Sequence, residues 1–136
     1  MKRVASFRAA AIGLALAAVI VMAAAEAGAQ SAAAVQRTID ILTDGSRSTA
    51  DRANAARDLA VLAQDSDAAT QALIGVIAAD PDPAVRAAAA RALGHQAFPS
   101  AAPIQAAVQA LSSDASAEVR LAAVQALNIL AVDSAS

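Results

Sequence analysis

The chain contains no cysteine, no tryptophan and no tyrosine, and two phenylalanines are its whole aromatic content. Without cysteine there can be no disulfide, no thiolate metal site, no cysteine nucleophile and no lipid-modified amino-terminal cysteine. The lack of aromatic platforms removes the stacking surfaces on which single-stranded nucleic acid is held. Lysine is absent after Lys2, so residues 30–136 carry seven arginines against eleven acids, a net charge of −4. A mildly acidic domain lacks the basic face that displaces condensed counterions, and no nucleic-acid partner is expected.

What is present is aliphatic. The chain is 58% hydrophobic, and alanine, valine, leucine and isoleucine supply nearly all of that. Alanine is the strongest helix former and lets helix axes approach closely. No segment alternates apolar and polar residues as a strand would. The class is all-α, and 136 residues make one domain of ordinary size.

Lys2, Arg3 and Arg8 precede an unbroken run of small apolar residues from Ala9 to Ala25, and Ala27-Gly28-Ala29 follows. The order of basic start, apolar run and small-x-small site is that of a secretory signal peptide, with cleavage expected after Ala29. The run of 17 residues falls short of the roughly 20 needed to span a bilayer. An uncleaved anchor is the alternative. No twin arginine is present, which favours general secretion, and the mature protein is expected to be periplasmic or secreted without membrane contact.

Beyond this leader, similar segments return every 34 residues. Ser48, Asp82 and Ser116 form a column of good helix N-caps. Leu59, Leu93 and Leu127 form an expected buried anchor, and Ala55, Ala89 and Ala123 a small-residue column. Arg52, Arg86 and Arg120 are all arginine; Asp80 and Asp114 repeat at the same spacing, with Asp44 in their role ahead of a longer loop. A fixed period of this size with helical internal pattern marks a stacked helical array.

The expected domains are residues 1–29 as leader, 30–133 as the repeat domain (about 31–66, 67–100 and 101–132) and 134–136 as a fraying tail. Six helices in three antiparallel pairs are expected. The first runs from Ser31 to Thr43 through Val35, Ile39 and Leu42. Ser48 caps the second, which packs through Ala55, Leu59 and Leu62. The third runs from about Ala68 to Ala79 with Leu73, Ile74 and Ile77 inward. Asp82 caps the fourth, with Pro83 at the first helical position, where its missing N–H costs nothing. Gly94 begins its end, and His95 to Ala102 is a loop with Phe98-Pro99 folded on the stack. Pro103 opens the fifth, with Ile104, Val108 and Leu111 inward. Ser116 caps the sixth, which buries Val119, Ala123, Leu127 and Leu130.

The segment Asp82-Pro83-Ala84-Val85-Arg86-Ala87-Ala88-Ala89-Ala90-Arg91-Ala92-Leu93-Gly94 resembles the second-helix signature of HEAT repeats, and more closely the HEAT-like repeats first grouped with phycobilisome lyase subunits. The match is good again at Ala117–Asn128 and weaker in repeat one, where Asp51 replaces the valine. The resemblance covers about Ser31 to Val132. It implies an α-solenoid, a right-handed superhelix of helix pairs used as a protein-binding scaffold, with the second helices on the concave face. It also implies that motif aspartates and arginines link adjacent repeats. The candidates are Asp80 or Asp82 with Arg86, Asp114 with Arg120, and Arg52. Ser116, standing where repeat two has Asp82, would break a ladder through that position. The lyase activity of some relatives does not carry over, because a shared fold does not transfer a site.

No catalytic set assembles from these residues. His95 has Val61 and Ile129 as column partners, which reads as a half-buried packing position. Asp65, Asp67, Asp80 and Asp82 lack the glycine turn and distal glutamate of a calcium loop and are read as caps. No cofactor, metal or catalytic residue is expected, and the chain is read as a non-enzyme. Arg57, Arg91 and Gln125 share the outer side of the second helices and are the protein-binding candidates, arginine being enriched at interface hot spots. The functional expectation is an exported, non-enzymatic scaffold binding another protein of the cell envelope. The alternatives are a self-associating module, dimerising through the apolar sixth helix, and a lyase-type accessory subunit.

Overall fold

The computed structural model describes residues 2–97 and 100–135. Among them are six helices, and no strand: α1 (Lys2–Thr43), α2 (Thr49–Leu62), α3 (Asp67–Ala79), α4 (Pro83–Leu93), α5 (Ala101–Ser113) and α6 (Ala117–Ser134). Two compact units divide between Ala34 and Val35. In the first, α1 continues unbroken through the small residues at 27–29, and its stretch from Ile12 is exposed with a mean hydropathy of 2.1. That helix is long and apolar enough to cross a membrane, a test that an amino-terminal signal sequence passes equally.

The second unit is the repeat array. The second helices α2, α4 and α6 pack in a row, α3 lies against α4 and α5, and α5 lies against α6. The end of α1 completes the first pair: Leu42 is fully buried, and Val35, Ile39 and Ile41 lie on the core. The all-α solenoid expected from the 34-residue period is therefore the observed architecture.

Local chemistry starts each helix. The Ser48 hydroxyl accepts from the Asp51 N–H (3.1 Å) and the Ser66 hydroxyl from the Ala69 N–H (3.3 Å). Asp82 accepts from the Ala84 N–H at 2.9 Å, and Pro83 is the first residue of α4. Ser116 occupies the cap of α6 but makes no side-chain cap bond. Asp114, two residues upstream, folds the turn that leads into α6, its carboxylate accepting the Ser116 N–H at 2.9 Å. Asp80 and Asp44 do the same for Asp82 and Ser46, both at 2.9 Å. The equivalence of Asp44, Asp80 and Asp114 is thus one of geometry, an aspartate folding its own turn.

Several boundaries and faces differ from expectation. α5 begins at Ala101, two residues before Pro103, which is fully buried. The first four N–H groups of a helix have no intrahelical acceptor, so proline at the third position forfeits no bond. The buried side of α5 is Pro103, Ala107 and Ala110, while Val108 is 50% exposed. Leu62 is likewise exposed, a position about 100° round the helix from the buried face. His95 is exposed in the turn after α4, and its neighbour Gln96 is the buried residue. Gln96 accepts from the Thr70 hydroxyl at 3.0 Å, and the Ala97 N–H donates to the Gln64 carbonyl at 2.7 Å, fixing this turn over the start of α3. Leu127, in the last described pair, is half-buried, whereas Leu59 and Leu93 are fully buried. Helix α6 also extends to Ser134, the first residue of the expected fraying tail. The expected packing of Phe98 and Pro99 lies outside the described residues.

The core is narrow because it is built of alanine. Ala53, Ala56, Ala87, Ala88, Ala89, Ala90, Ala122, Ala123 and Ala126 are all buried. The approach is very close at Gly94, where an added Cβ would lie 2.8 Å from the Ala126 Cα. Gly94→Ala is expected to push α4 and α6 apart and lower stability in urea unfolding by about 1–3 kcal/mol. Gly75 sits in a helix with open space around it, so Gly75→Ala should raise stability by roughly 0.5–1 kcal/mol. Leu93→Ala should cost ~2–5 kcal/mol in the same measurement.

Candidate interaction face and the arginine ladder

The arginine column pairs forward. Arg52 forms a buried ion pair with Asp80 and donates through Nε to the Leu42 carbonyl at 3.0 Å. Arg86 reaches Asp114 with two parallel bonds, Nε to Oδ2 at 2.9 Å and NH2 to Oδ1 at 3.0 Å. Its third nitrogen donates to the Asp80 carbonyl at 2.8 Å. Each arginine thus holds a main-chain carbonyl of its own pair, Leu42 at the end of α1 or Asp80 in the turn, and the aspartate of the next pair. Asp80 or Asp82 is the expected carboxylate partner of Arg86, and Asp114 that of Arg120. The structure gives Arg86 the Asp114 carboxylate instead, and Arg120 meets Asp114 through its carbonyl, at 2.9 Å. Asp82 has a different role: it accepts from the Thr49 hydroxyl of the preceding pair while capping α4. The ion-pair ladder runs through Asp80 and Asp114 and so does not pass through the position that Ser116 fills.

The two donor bonds from Arg86 hold the Asp114 carboxyl below the usual carboxylate range, against a smaller opposing effect of burial, and the Ser116 N–H adds to the depression. Asp114 in turn raises the Arg86 value. A carboxyl whose folded-state pKa is depressed adds stability above its unfolded value and loses it as pH falls through the folded value.

The other candidates lie on the outer side of the second helices. Arg57 and Gln125 are exposed and Arg91 is half-buried. Arg57 and Arg91 border one shallow depression of about 230 Å³, floored by Ala60, Ala88 and Ala92 and edged by His95. Arg57 donates to Asn54 Oδ1 at 2.6 Å. Arg91 donates to Gln125 Oε1 at 3.3 Å, and its guanidinium lies 3.9 Å from Glu118. These partners are exposed and weakly held, so both guanidinium groups remain available to a competing anion. His95 joins this group, which its apolar column partners concealed. A second and larger groove, about 640 Å³, lies between α3 and α5 above the Arg86–Asp114 pair, with Ile74, Gln105, Ala106 and Gln109 along it. The sequence offered one signal for it, the short alanines at 102 and 106. Among the described residues no group of acids and histidine could hold a metal ion.

Asp114→Ala should cost on the order of 3 kcal/mol, since it leaves a largely buried guanidinium unpaired. Asp114→Asn should flatten the loss of stability seen in the parent below the ordinary carboxylate pKa, measured as urea midpoint against pH.

No curated protein and no solved structure matches the chain. A family model described as HEAT repeats matches residues 35–128, most of the chain and nearly all of the repeat unit. With the period, the row of second helices and the turn aspartates on which the arginines close, the chain belongs to the HEAT-repeat family.

Proposed function

We propose that the protein is an exported, non-enzymatic scaffold of the cell envelope that binds another protein across the outer side of α2, α4 and α6. HEAT repeats commonly mediate protein–protein interaction, and the observation that carries the reading here is the placement of Arg57, Arg91 and His95 round one alanine-floored depression. Two guanidinium groups over a floor without polar side chains suit an acidic segment of a partner chain, recognised by charge-assisted hydrogen bonds. Gln125 extends the same column onto α6 through its bond with Arg91.

Export is supported by the basic start and the exposed apolar helix from Ile12, with cleavage at Ala29 releasing a periplasmic or secreted domain. The net negative charge and the scarcity of aromatic residues disfavour nucleic acid. No cofactor takes part in this reading.

The test is a crosslinking pull-down from the exporting cell with the parent protein and an Arg57→Ala/Arg91→Ala variant. One envelope protein captured by the parent and lost with the variant is the expected result. Equal capture by both would remove the face from consideration. Each substitution should change stability by no more than about 0.5 kcal/mol, so a loss of capture would report on binding and not on folding.

A further inference from the structure

The two ends of the array are built differently. The face that each second helix turns toward the preceding pair is marked by Ala126, which meets Gly94. In α6 that face is Val119, Ala122 and Ala126, and in α4 it is Val85, Ala88 and Ala92, all buried. The equivalent residues of α2, 34 positions earlier, are Asp51, Asn54 and Asp58, all exposed. The front of the array is therefore closed by a polar cap, as a terminal repeat requires.

The rear is not closed in this way. The forward face of α4 is Ala87, Ala90 and Gly94, and in α6 the same positions hold Leu121, Val124 and Asn128. Leu121 is 55% and Val124 43% exposed. On α5, Val108 and Leu111 stand at the positions by which Ile74 and Ile77 of α3 border the groove against α5, and Val108 is open to solvent. An apolar strip thus crosses both helices of the last pair. Beside it stands Arg120, whose guanidinium donates to the carbonyls of Asp114 (2.9 Å) and Ala115 (3.2 Å), as Arg86 does to that of Asp80. Among the described residues no carboxylate pairs with it, whereas Arg52 and Arg86 each hold one. The main-chain half of the rung is made and the acidic half is missing.

We infer that the rear face of the array is a docking site for a helix of a different protein, which brings an aspartate or glutamate to Arg120 and aliphatic side chains to Leu121, Val124 and Val108. The chemistry of the occupant follows from the two internal junctions, each of which closes an arginine on an aspartate beside buried aliphatic residues. A second copy of this chain fits less well. Stacked front to rear, it would bury Asp51, Asn54 and Asp58 against Leu121 and Val124, at the cost of desolvating three polar side chains. Set rear to rear, it offers no acid on the face of Arg120: Asp114 is held by Arg86, and Glu118 and Asp133 are roughly 160° and 140° round α6 from Arg120. Leucine and valine in place of alanine also keep an incoming helix farther off than the spacing between α4 and α6.

The test uses the full chain in the cells that produce it, with the photocrosslinking amino acid p-benzoylphenylalanine at Val124 and, in a separate variant, at Asp58 on the capped front. The expected result is one adduct with another protein from position 124 and none from position 58. Mass spectrometry should place the link on a helical segment bearing an aspartate or glutamate. Arg120→Ala should lower the yield by about tenfold or more, as truncation of one partner of a charge pair does, and Arg120→Lys should restore part of it. Unchanged protease resistance of the Arg120→Ala variant shows that the array is intact. Adducts between copies of this chain would overturn the proposal in favour of self-assembly. Yield indifferent to Arg120→Ala, or no more at 124 than at 58, would overturn it as well.

Discussion

Everything in this array depends on how near its second helices come to one another. Alanine buries little area, so an alanine-built interface gains enough from dispersion and water exclusion only if the backbones nearly touch. The clearest instance is Gly94 against Ala126, where no Cβ can be added without a shift. Leu59 and Leu93 then fill the space left between pairs, fully buried in each case. Such an interface is apolar and featureless along the helix axis, so it specifies closeness better than it specifies register.

Register is supplied by the arginine ladder. Arg52 and Arg86 are nearly buried cations, and each meets both a main-chain carbonyl and a carboxylate from the following turn. A buried ion pair of this kind contributes little net stability over an apolar replacement, yet it strongly disfavours any arrangement that leaves one partner alone. A slide of one helical turn, about 5.4 Å, would strand both charges. The aspartates serve twice, since the same carboxylates of Asp80 and Asp114 accept an N–H within their own turns. The turn that starts each second helix and the bond that locks the preceding pair are therefore one structure, which is why this aspartate and arginine recur together.

That economy explains what could be read from the sequence. The period of 34, the helix class, the caps at Ser48 and Asp82 and the anchor leucines rest on local or repeated patterns, and repetition averages out accidents in any single copy. The columns identify which residues are equivalent but carry no direction, so nothing in them says whether Arg86 closes on its own turn or on the next. The outward positions of Leu62 and Val108 were misread because alanine fills both faces of these helices, and a stripe of larger aliphatics can then lie 100° from the true core. His95 was misread for a related reason: burial in this turn falls to Gln96, set by its bond with Thr70 and not by helical periodicity. Arg57 and Arg91 were legible as a shared column, whereas their depression depends on Ala60, Ala88 and Ala92 being short enough to leave it.

The unequal ends follow from the same two elements. An array joined by identical junctions would go on adding copies unless something stops it. At the front the stop is compositional, polar Asp51, Asn54 and Asp58 replacing the valine and alanines that would receive a preceding pair. At the rear, Leu121, Val124 and Asn128 replace Ala87, Ala90 and Gly94 in their column, so the close approach on which each internal junction relies is denied to another alanine-faced helix. Arg120 is kept all the same. Its guanidinium is held by two carbonyls in the posture of its counterparts, and half-burying a cation with only main-chain acceptors gives up the carboxylate that offsets desolvation elsewhere in the column. A front that refuses neighbours and a rear that keeps one charged contact describe an array whose last described pair presents its surface to something unlike itself.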